Sequence, residues 1–382
     1  MKRRTKVDRP IWINVLLIVS IVLVIFSNVF SFQLEVFLHL KPNITCENST
    51  QIHFINVGQG DAIAVKFANG KTLLIDSGTS EYYPKLSYYL DNVILNNTKS
   101  LDYVVLTHPD IDHSGNMKSI IEKYKPNKFF RPKVYEESEF KEPSVSNSTY
   151  KEILKVLKRN NIDTVFCDEF MLFEGKTKIN FLSTLEYNDL ETIETNDFST
   201  IVIIEENNSR ALLAGDISTK IEDQLIDKYG EIMLDVDILK LSHHGSKYSN
   251  SKEFLEITSP KYVVASCGVN TYGHPANETL QRLLDYDKAQ NSDIFENFLT
   301  TKDNGNIIYT LKNKIVVQTI KNIDDYSFSD YWIYSLILVV YLCYVLTLPY
   351  YKAFKKDYRF YKQNRDYDKM KEKEKNNKQN LA

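Results

Sequence analysis

Leu106-Thr-His-Pro-Asp-Ile-Asp-His-Ser-Gly115 closes an apolar run and places His108, Asp110, Asp112 and His113 within six residues. Four ligand-type side chains that close together read as a metal site. Imidazole suits zinc, iron or manganese, and neighbouring carboxylates add the negative charge that holds a divalent ion. Such an ion acidifies a bound water. Of the chain's seven histidines, five (His108, His113, His243, His244 and His274) fall in three short segments flanked by Gly, Ser or Pro. Only His39 and His53 lie elsewhere.

Outward from this segment, short β-branched runs recur, and most end on a polar residue: Lys71 to Asp76, Tyr103 to His108, Ala211 to Asp216, and Val236 to His243. These read as buried strands that deliver ligands at their ends. Helical patterns lie between them, over Asn116 to Tyr124, Lys151 to Asn160, Ser218 to Tyr229 with Ser218 as N-cap, Lys252 to Ile257, and Glu278 to Asp285. The alternation predicts α/β layering, with the strand-terminal acids and histidines meeting in one cleft. Gln51 to Val57 and Ala62 to Phe67 flank Gly58-Gln-Gly-Asp61, and Ala68-Asn-Gly70 turns into the next strand, so the domain opens as a β-meander. Glu136 to Thr149, rich in Glu, Ser and Pro, reads as a surface insertion near the cleft.

The 382 residues are 43% hydrophobic and 25% charged, a globular composition. Two runs are too apolar for a soluble surface: residues 11–32 hold no charge over 22 positions, and residues 331–351 hold none over 21. Each is long enough to span a bilayer. The first follows five basic residues within residues 1–10, and the second precedes a basic tail, residues 352–382, so both flanks belong on the cytoplasmic side. This predicts a two-pass membrane protein. Its parts are a span at 11–32, a linker at 33–50, a domain at 51–320 on the outer face, a linker at 321–330 and a span at 331–351. With the 16 basic and 6 acidic residues of the two terminal segments set aside, 31 basic and 44 acidic residues remain, a net charge of −13. An acidic domain does not grip a polyanion through bulk counterion release, so a phosphate-rich substrate would be held by local cations or by metal. The four cysteines, Cys46, Cys167, Cys267 and Cys343, have no finger-like spacing and form no disulfide framework.

Six segments occur in order across about 220 residues: Val57-Gly-Gln-Gly-Asp-Ala62, Leu74-Ile-Asp-Ser-Gly78, Thr107 to Gly115, Leu213-Ala-Gly-Asp216, Leu241-Ser-His-His-Gly-Ser246 and Tyr272-Gly-His-Pro275. On these residues the domain resembles the metallo-β-lactamase superfamily and, within it, the hydrolase domain of ComEC-type competence proteins. The resemblance implies an αββα sandwich that binds two divalent ions, Zn or Mn. It also implies that His108 and Asp110 face one ion, that Asp112 and His113 face the other, and that Asp216 bridges them. Either His243 or His244 supplies the last histidine. The other member of that pair, Ser246 and His274 are candidates to contact a phosphoryl oxygen, and Asp112 to steer the attacking water. Asp76 resembles the strand-end aspartate that supports the ligand loop. The superfamily commonly supplies a third histidine between the loop and the bridging aspartate, where this chain has Asn196-Asp-Phe-Ser-Thr200, so Asn196 and Ser199 stand in its place.

Two cations roughly 3.5 to 4 Å apart stabilise both entering and leaving oxygens, which suits phosphodiester hydrolysis. The expectation is therefore a membrane-anchored phosphodiesterase or nuclease acting on DNA, single-stranded DNA included, or on nucleotides. Competing readings are a phosphodiesterase for teichoic acid or phosphocholine of the envelope, and a non-catalytic metal- or ligand-binding module serving a membrane protein partner.

Overall fold

Short strands of Val, Ile, Leu and Phe build two sheets in the computed structural model, which describes residues 48–95, 99–141, 143–183, 194–321 and 332–379. In chain order the strands begin β1 (Gln51–Phe54), β2 (Ile63–Lys66), β3 (Thr72–Ile75), β4 (Tyr103–Val105), β5 (Lys128–Arg131), β6 (Tyr135–Glu136), β7 (Ser144–Val145) and β8 (Asp163–Phe166). They continue with β9 (Phe170–Glu174), β10 (Thr177–Leu182), β11 (Ile201–Glu206), β12 (Ser209–Leu213) and β13 (Ile238–Lys240). The last are β14 (Tyr262–Ala265), β15 (Phe298–Thr300), β16 (Asn306–Thr310) and β17 (Val316–Ile320). One sheet has the order β17-β16-β1-β2-β3-β4-β5-β8 and the other β15-β14-β13-β12-β11-β10-β9, while β6 and β7 pair by themselves.

Period-two alternation decides the layers. On β4, Val105 faces the space between the sheets, whereas Val104 and the following Leu106 face helices on the outer side. On β12 and β13, Ala211, Leu213 and Ile238 point into the same intersheet core, and Leu212 and Leu239 point to the opposite helices. The first sheet is covered by α1 (Tyr83–Tyr89), α3 (Met117–Tyr124) and α4 (Ser148–Arg159), with the one-turn α2 (Ile111–Ser114) just ahead of α3. The second is covered by α5 (Thr219–Leu234), α6 (Lys252–Thr258) and α7 (Asn277–Gln290), with the short α8 (Thr301–Asn304) after β15. The result is the four-layer αββα arrangement, with three apolar clusters between successive layers.

The opening meander is present, since β1, β2 and β3 pair antiparallel. From β3 through β4 and β5 to β8, and from β12 through β13 and β14 to β15, the pairing is parallel. The carboxyl ends of β3, β4, β12 and β13 carry the ligand-bearing loops, and the loops from both sheets meet.

Several local expectations are revised. Ser218 holds the N-cap position of α5, but its hydroxyl donates to Asp197 Oδ1 at 2.7 Å instead of capping the helix. The helix continues past Tyr229 to Leu234 across Gly230, whose φ of +60° interrupts the regular turns. The insertion is less irregular than its composition suggests, since β6 and β7 pair within it. Asn147 caps α4 and donates to Pro109 O at 3.2 Å, which ties the insertion to the ligand loop. Thr50, assigned to the linker, is fully buried, and its hydroxyl pairs with that of Thr177 at 2.7 Å.

Residues 36–325 form one unit; of the other, the structure describes the helix α9 (Trp332–Gln379). The second apolar run and the basic tail are therefore not separate elements. One helix runs through both, because the Lys, Arg, Glu and Gln residues after Tyr351 are good helix formers. Among the described residues, no helix is long and apolar enough to cross a membrane. The first apolar run, residues 11–32, lies outside the described residues.

Candidate metal centre

Strand β4 is too apolar to leave the core, and past Leu106 the chain emerges at the joint between the sheets. Asp110 starts α2, where its carbonyl accepts from His113 N at 3.0 Å and Ser114 N at 2.8 Å. Its carboxylate does not cap the helix. The single helical turn then presents Asp112 and His113. Beneath it, Asp76 at the end of β3 takes a left-handed φ of +59°. A non-glycine residue held in that region carries strain that its surroundings must offset. Here the carboxylate accepts from Thr107 N at 2.8 Å and Thr107 Oγ1 at 2.6 Å, and it pairs with His113 Nδ1 at 2.7 Å. With Nδ1 held by Asp76, His113 Nε2 points into the cleft, so Asp76 orients a ligand without being one.

The second sheet answers from the other side. Asp216 follows β12, and its amide donates to Ser199 Oγ at 3.0 Å. Gly215, at φ +59°, allows this close approach, since a Cβ there would lie 2.7 Å from Ser199 Cβ. After β13, His243 and His244 both adopt left-handed backbone angles, with φ of 52° and 53°. This reversal turns His244 inward, where its Nδ1 lies 2.7 Å from Ser266 O. His244 Nε2 then lies 3.2 Å from Asp112 Oδ2 and 3.2 Å from Asp216 Oδ2, and His113 Nε2 also lies 3.2 Å from Asp216 Oδ2.

Two nitrogens and two carboxylates thus converge: His113 Nε2, His244 Nε2, Asp112 Oδ2 and Asp216 Oδ2. This donor set fits a divalent ion. His113 Nε2 is close to Asp216 but out of hydrogen-bonding alignment, and it is buried without a hydrogen-bond partner, as is His108 Nε2. The cluster opens on the Asp110 and Asp112 side, where their side chains are 41% and 30% exposed.

Asp61 lies within 4.8 Å of the same histidines and Asp216 but plays a different part. Its oxygens face the Nδ1 edges, at 3.6 Å from His244 and 3.8 Å from His113, and those edges are already committed to Ser266 O and Asp76. Its close partner is Lys240, whose ammonium lies 2.7 Å from Asp61 Oδ2 and 3.6 Å from Asp216 Oδ1, fully buried. Lys240 also donates to Gly215 O at 3.0 Å. We therefore assign Asp61 and Lys240 to the floor of the cluster and Asp112 to the ligand set.

Most of the residues singled out from sequence are brought together. His108 reaches the site from the Asp110 side, with Nε2 4.0 Å from Asp110 Oδ2 and its ring 4.1 Å from that of His113. Ser199 Oγ and Thr107 Oγ1 lie 3.3 and 3.1 Å from His108 Nδ1. His244, not His243, enters the cluster. His243 is half-buried, with its ring 5.5 Å from that of His274. His274 flanks both histidines. The buried Ser246 hydroxyl accepts from Tyr248 N at 3.3 Å and keeps its own hydrogen to donate. Asn196 contributes its carbonyl, which accepts from Ser199 N at 3.0 Å and so sets the turn that places Ser199. Sequence reasoning missed the roles of Asp61 and Lys240. The signal for Lys240 was a lysine between Leu239 and Leu241 on an otherwise apolar strand.

Charge ordering follows from burial and proximity. Burial lowers a histidine's pKa, but Asp216 and Asp76 hold His113 well above the usual range, and Asp216 and Asp112 hold His244 up at about 10. Burial raises a carboxylate, yet His113, His244 and Lys240 keep Asp216 well below its usual value. His108 is driven well down by burial and by the charge on His113. A metal ion binds the neutral imidazole, so its arrival displaces protons from His113 and His244. Apparent affinity should rise about tenfold per pH unit for each proton displaced. For His244 the rise continues up to about pH 10, where the metal-free imidazole gives up its proton. Calorimetry in two buffers of different ionisation enthalpy would count the protons, and no release would contradict the assignment. In the metal-free chain the linkage runs the other way. A raised histidine pKa favours the protonated fold, so the stability that His244 contributes is complete below 6.5 and is lost as pH rises through about 10.

The model of the metallo-β-lactamase superfamily matches residues 55–269. The chain belongs to this superfamily, a fold family of metal-dependent hydrolases. Within it, the similar curated proteins are of the ComEC competence type. ComE operon protein 3 of Bacillus subtilis (strain 168) is 26% identical over 295 residues, which cover 73% of this chain and 35% of that protein. Competence protein ComA of Neisseria gonorrhoeae is 28% identical over 257 residues, covering 65% of this chain and 31% of that protein. The chain thus spans about a third of the length of these relatives. Among solved structures, the metallo-beta-lactamase fold protein YhfI from Bacillus subtilis is 11% identical at a TM-score of 0.40, over 61% of this chain and 92% of that one.

Proposed function

We propose that this chain is a membrane-anchored phosphodiesterase of nuclease type, acting on DNA or nucleotides on the outer face of the membrane, with two divalent ions, Zn or Mn. The observation that carries the reading is the convergence of Asp112, His113, Asp216 and His244 at a cleft open on the Asp110 side. These four would hold one ion, and His108 and Asp110 would face the other. A divalent ion bound there supplies the Lewis acidity that lowers the pKa of water and offsets charge on phosphoryl oxygens. The chain's own residues do the rest. Asp76 and Ser266 O fix the two imidazoles, and Lys240 balances the charge of Asp61. His274, pushed down to about 4 by burial and by its neighbouring histidines, is neutral at pH 7 and can donate to a phosphoryl oxygen without repelling a metal. Competence relatives support a DNA substrate, and the uncharged runs at 11–32 and 331–351 with their basic flanks support anchoring with both termini cytoplasmic.

The net charge of −13 over residues 11–351 favours a second reading, an envelope phosphodiester such as a teichoic polymer or a phosphocholine ester. Purified full chain with added Mn or Zn, and intact cells given external substrate, are compared on single-stranded DNA, bis-p-nitrophenyl phosphate and a phosphocholine ester. We expect metal-dependent cleavage of DNA, exposed in intact cells and lost in Asp112→Ala and His113→Ala. Preference for the phosphocholine ester selects the second reading. Activity that persists in both variants refutes metal-dependent catalysis here, and metal binding without turnover leaves a binding module.

A further inference from the structure

A graded column of rings leads from the cluster to solvent. At its base is His244, fully buried. The His274 ring lies 6.4 Å from it, inclined by 29°. The Tyr272 ring lies 5.9 Å from that of His274, again at 29°. Tyr272 is 76% exposed, and Val269 on the same loop is 90% exposed. The spacing and tilt are those of offset stacking, and among the described residues no ring lies beyond Tyr272 in the column.

The loop that presents Tyr272 is pinned. Asn270 Oδ1 accepts from Gly273 N at 2.9 Å and His274 N at 3.0 Å, and Asn270 Nδ2 donates to Gly268 O at 2.9 Å and His274 O at 2.8 Å. Four hydrogen bonds from one side chain hold this short segment in a fixed shape. A second observation points to a ligand: His274 Nδ1 is buried and has no hydrogen-bond partner. A large aromatic face held rigidly in water beside an unsatisfied imidazole nitrogen is arranged for contact with something absent from the fold itself.

We propose that Tyr272 is a stacking platform for one unpaired nucleobase of the substrate strand, next to the phosphodiester that lies over the cluster, with His274 Nδ1 meeting a polar atom of that nucleotide. The near-parallel rings extend outward as a stack, and a planar aromatic group continues it. A base within a duplex has both faces covered, so only a single strand or a free nucleotide can offer one. The inference rests on the phosphodiesterase reading and adds a preference for base-bearing single strands.

Full chain in detergent with Mn, and its Tyr272→Ala and Tyr272→Phe variants, are assayed on a short oligothymidine and on an abasic strand of the same length. The quantity read is the ratio of kcat/KM for the two strands. Wild type should favour the oligothymidine. Tyr272→Ala should reduce the ratio about tenfold, chiefly through KM, and Tyr272→Phe should restore it, because stacking needs the ring and not the hydroxyl. Metal content of each variant reports an intact cluster. An unchanged ratio in Tyr272→Ala, or no base preference in wild type, overturns the platform while leaving phosphodiester cleavage standing. Wild type that cleaves no phosphodiester at all overturns the underlying functional reading instead. A Tyr272-dependent preference for a glycosylated over an unglycosylated polyol phosphate would assign the ring to a sugar and overturn the nucleobase.

Discussion

Replacing His244 with alanine is expected to abolish tight metal retention and to cut hydrolysis roughly 10³-fold, beyond the 10- to 100-fold that losing an outer partner of a ligand costs. His243→Ala should keep its metal and most of its activity. The two residues are adjacent in sequence and equal in chemistry, so the contrast isolates geometry. Only His244 has Nε2 at 3.2 Å from both Asp112 and Asp216, and only its Nδ1 is fixed, by Ser266 O. Metal analysis of the purified chain and turnover of bis-p-nitrophenyl phosphate measure the pair of effects. Equal losses in both variants would show that His243 also binds the ion.

The second large effect belongs to the floor of the site. Lys240→Met leaves Asp61 fully buried, facing Asp216 without its cation, and removing one partner of a buried ion pair typically costs about 3–5 kcal/mol. For a domain of this size that corresponds to a fall of roughly 10 °C in Tm. The double variant Lys240→Met with Asp61→Asn removes the stranded charge and should regain much of the loss. Scanning calorimetry of the metal-free chain checks both. A Lys240→Met protein as stable as wild type would show that the buried Asp61–Lys240 pair contributes nothing to stability.

The ligand loop, the strand-end acids and the order of the motifs were legible because they obey local rules. An apolar strand that ends on His or Asp states where its side chain will emerge, whatever packs around it. The alternation of strands and helices pointed to α/β layering and the family resemblance to the αββα sandwich, while α3, α4 and α6 lie close to where their apolar periodicity put them. What sequence could not give was the choice between neighbours. Whether His243 or His244 turns inward depends on two successive left-handed residues, and nothing in the tetrad Ser-His-His-Gly specifies that reversal. Asp61 read as part of a Gly-rich turn. Its role depends on Lys240, 179 positions later, and a contact between a loop of one sheet and a strand of the other has no signature along the chain.

The loops carrying the ligands hang from different sheets: His108, Asp112 and His113 from the first, Asp216 and His244 from the second. The ion proposed between Asp112 and His113 on one side and Asp216 and His244 on the other would be a rivet through the joint between the two halves. Neither half could then peel away without breaking coordination made by the other, so metal loading would weld two independently layered pieces into a single cooperative unit.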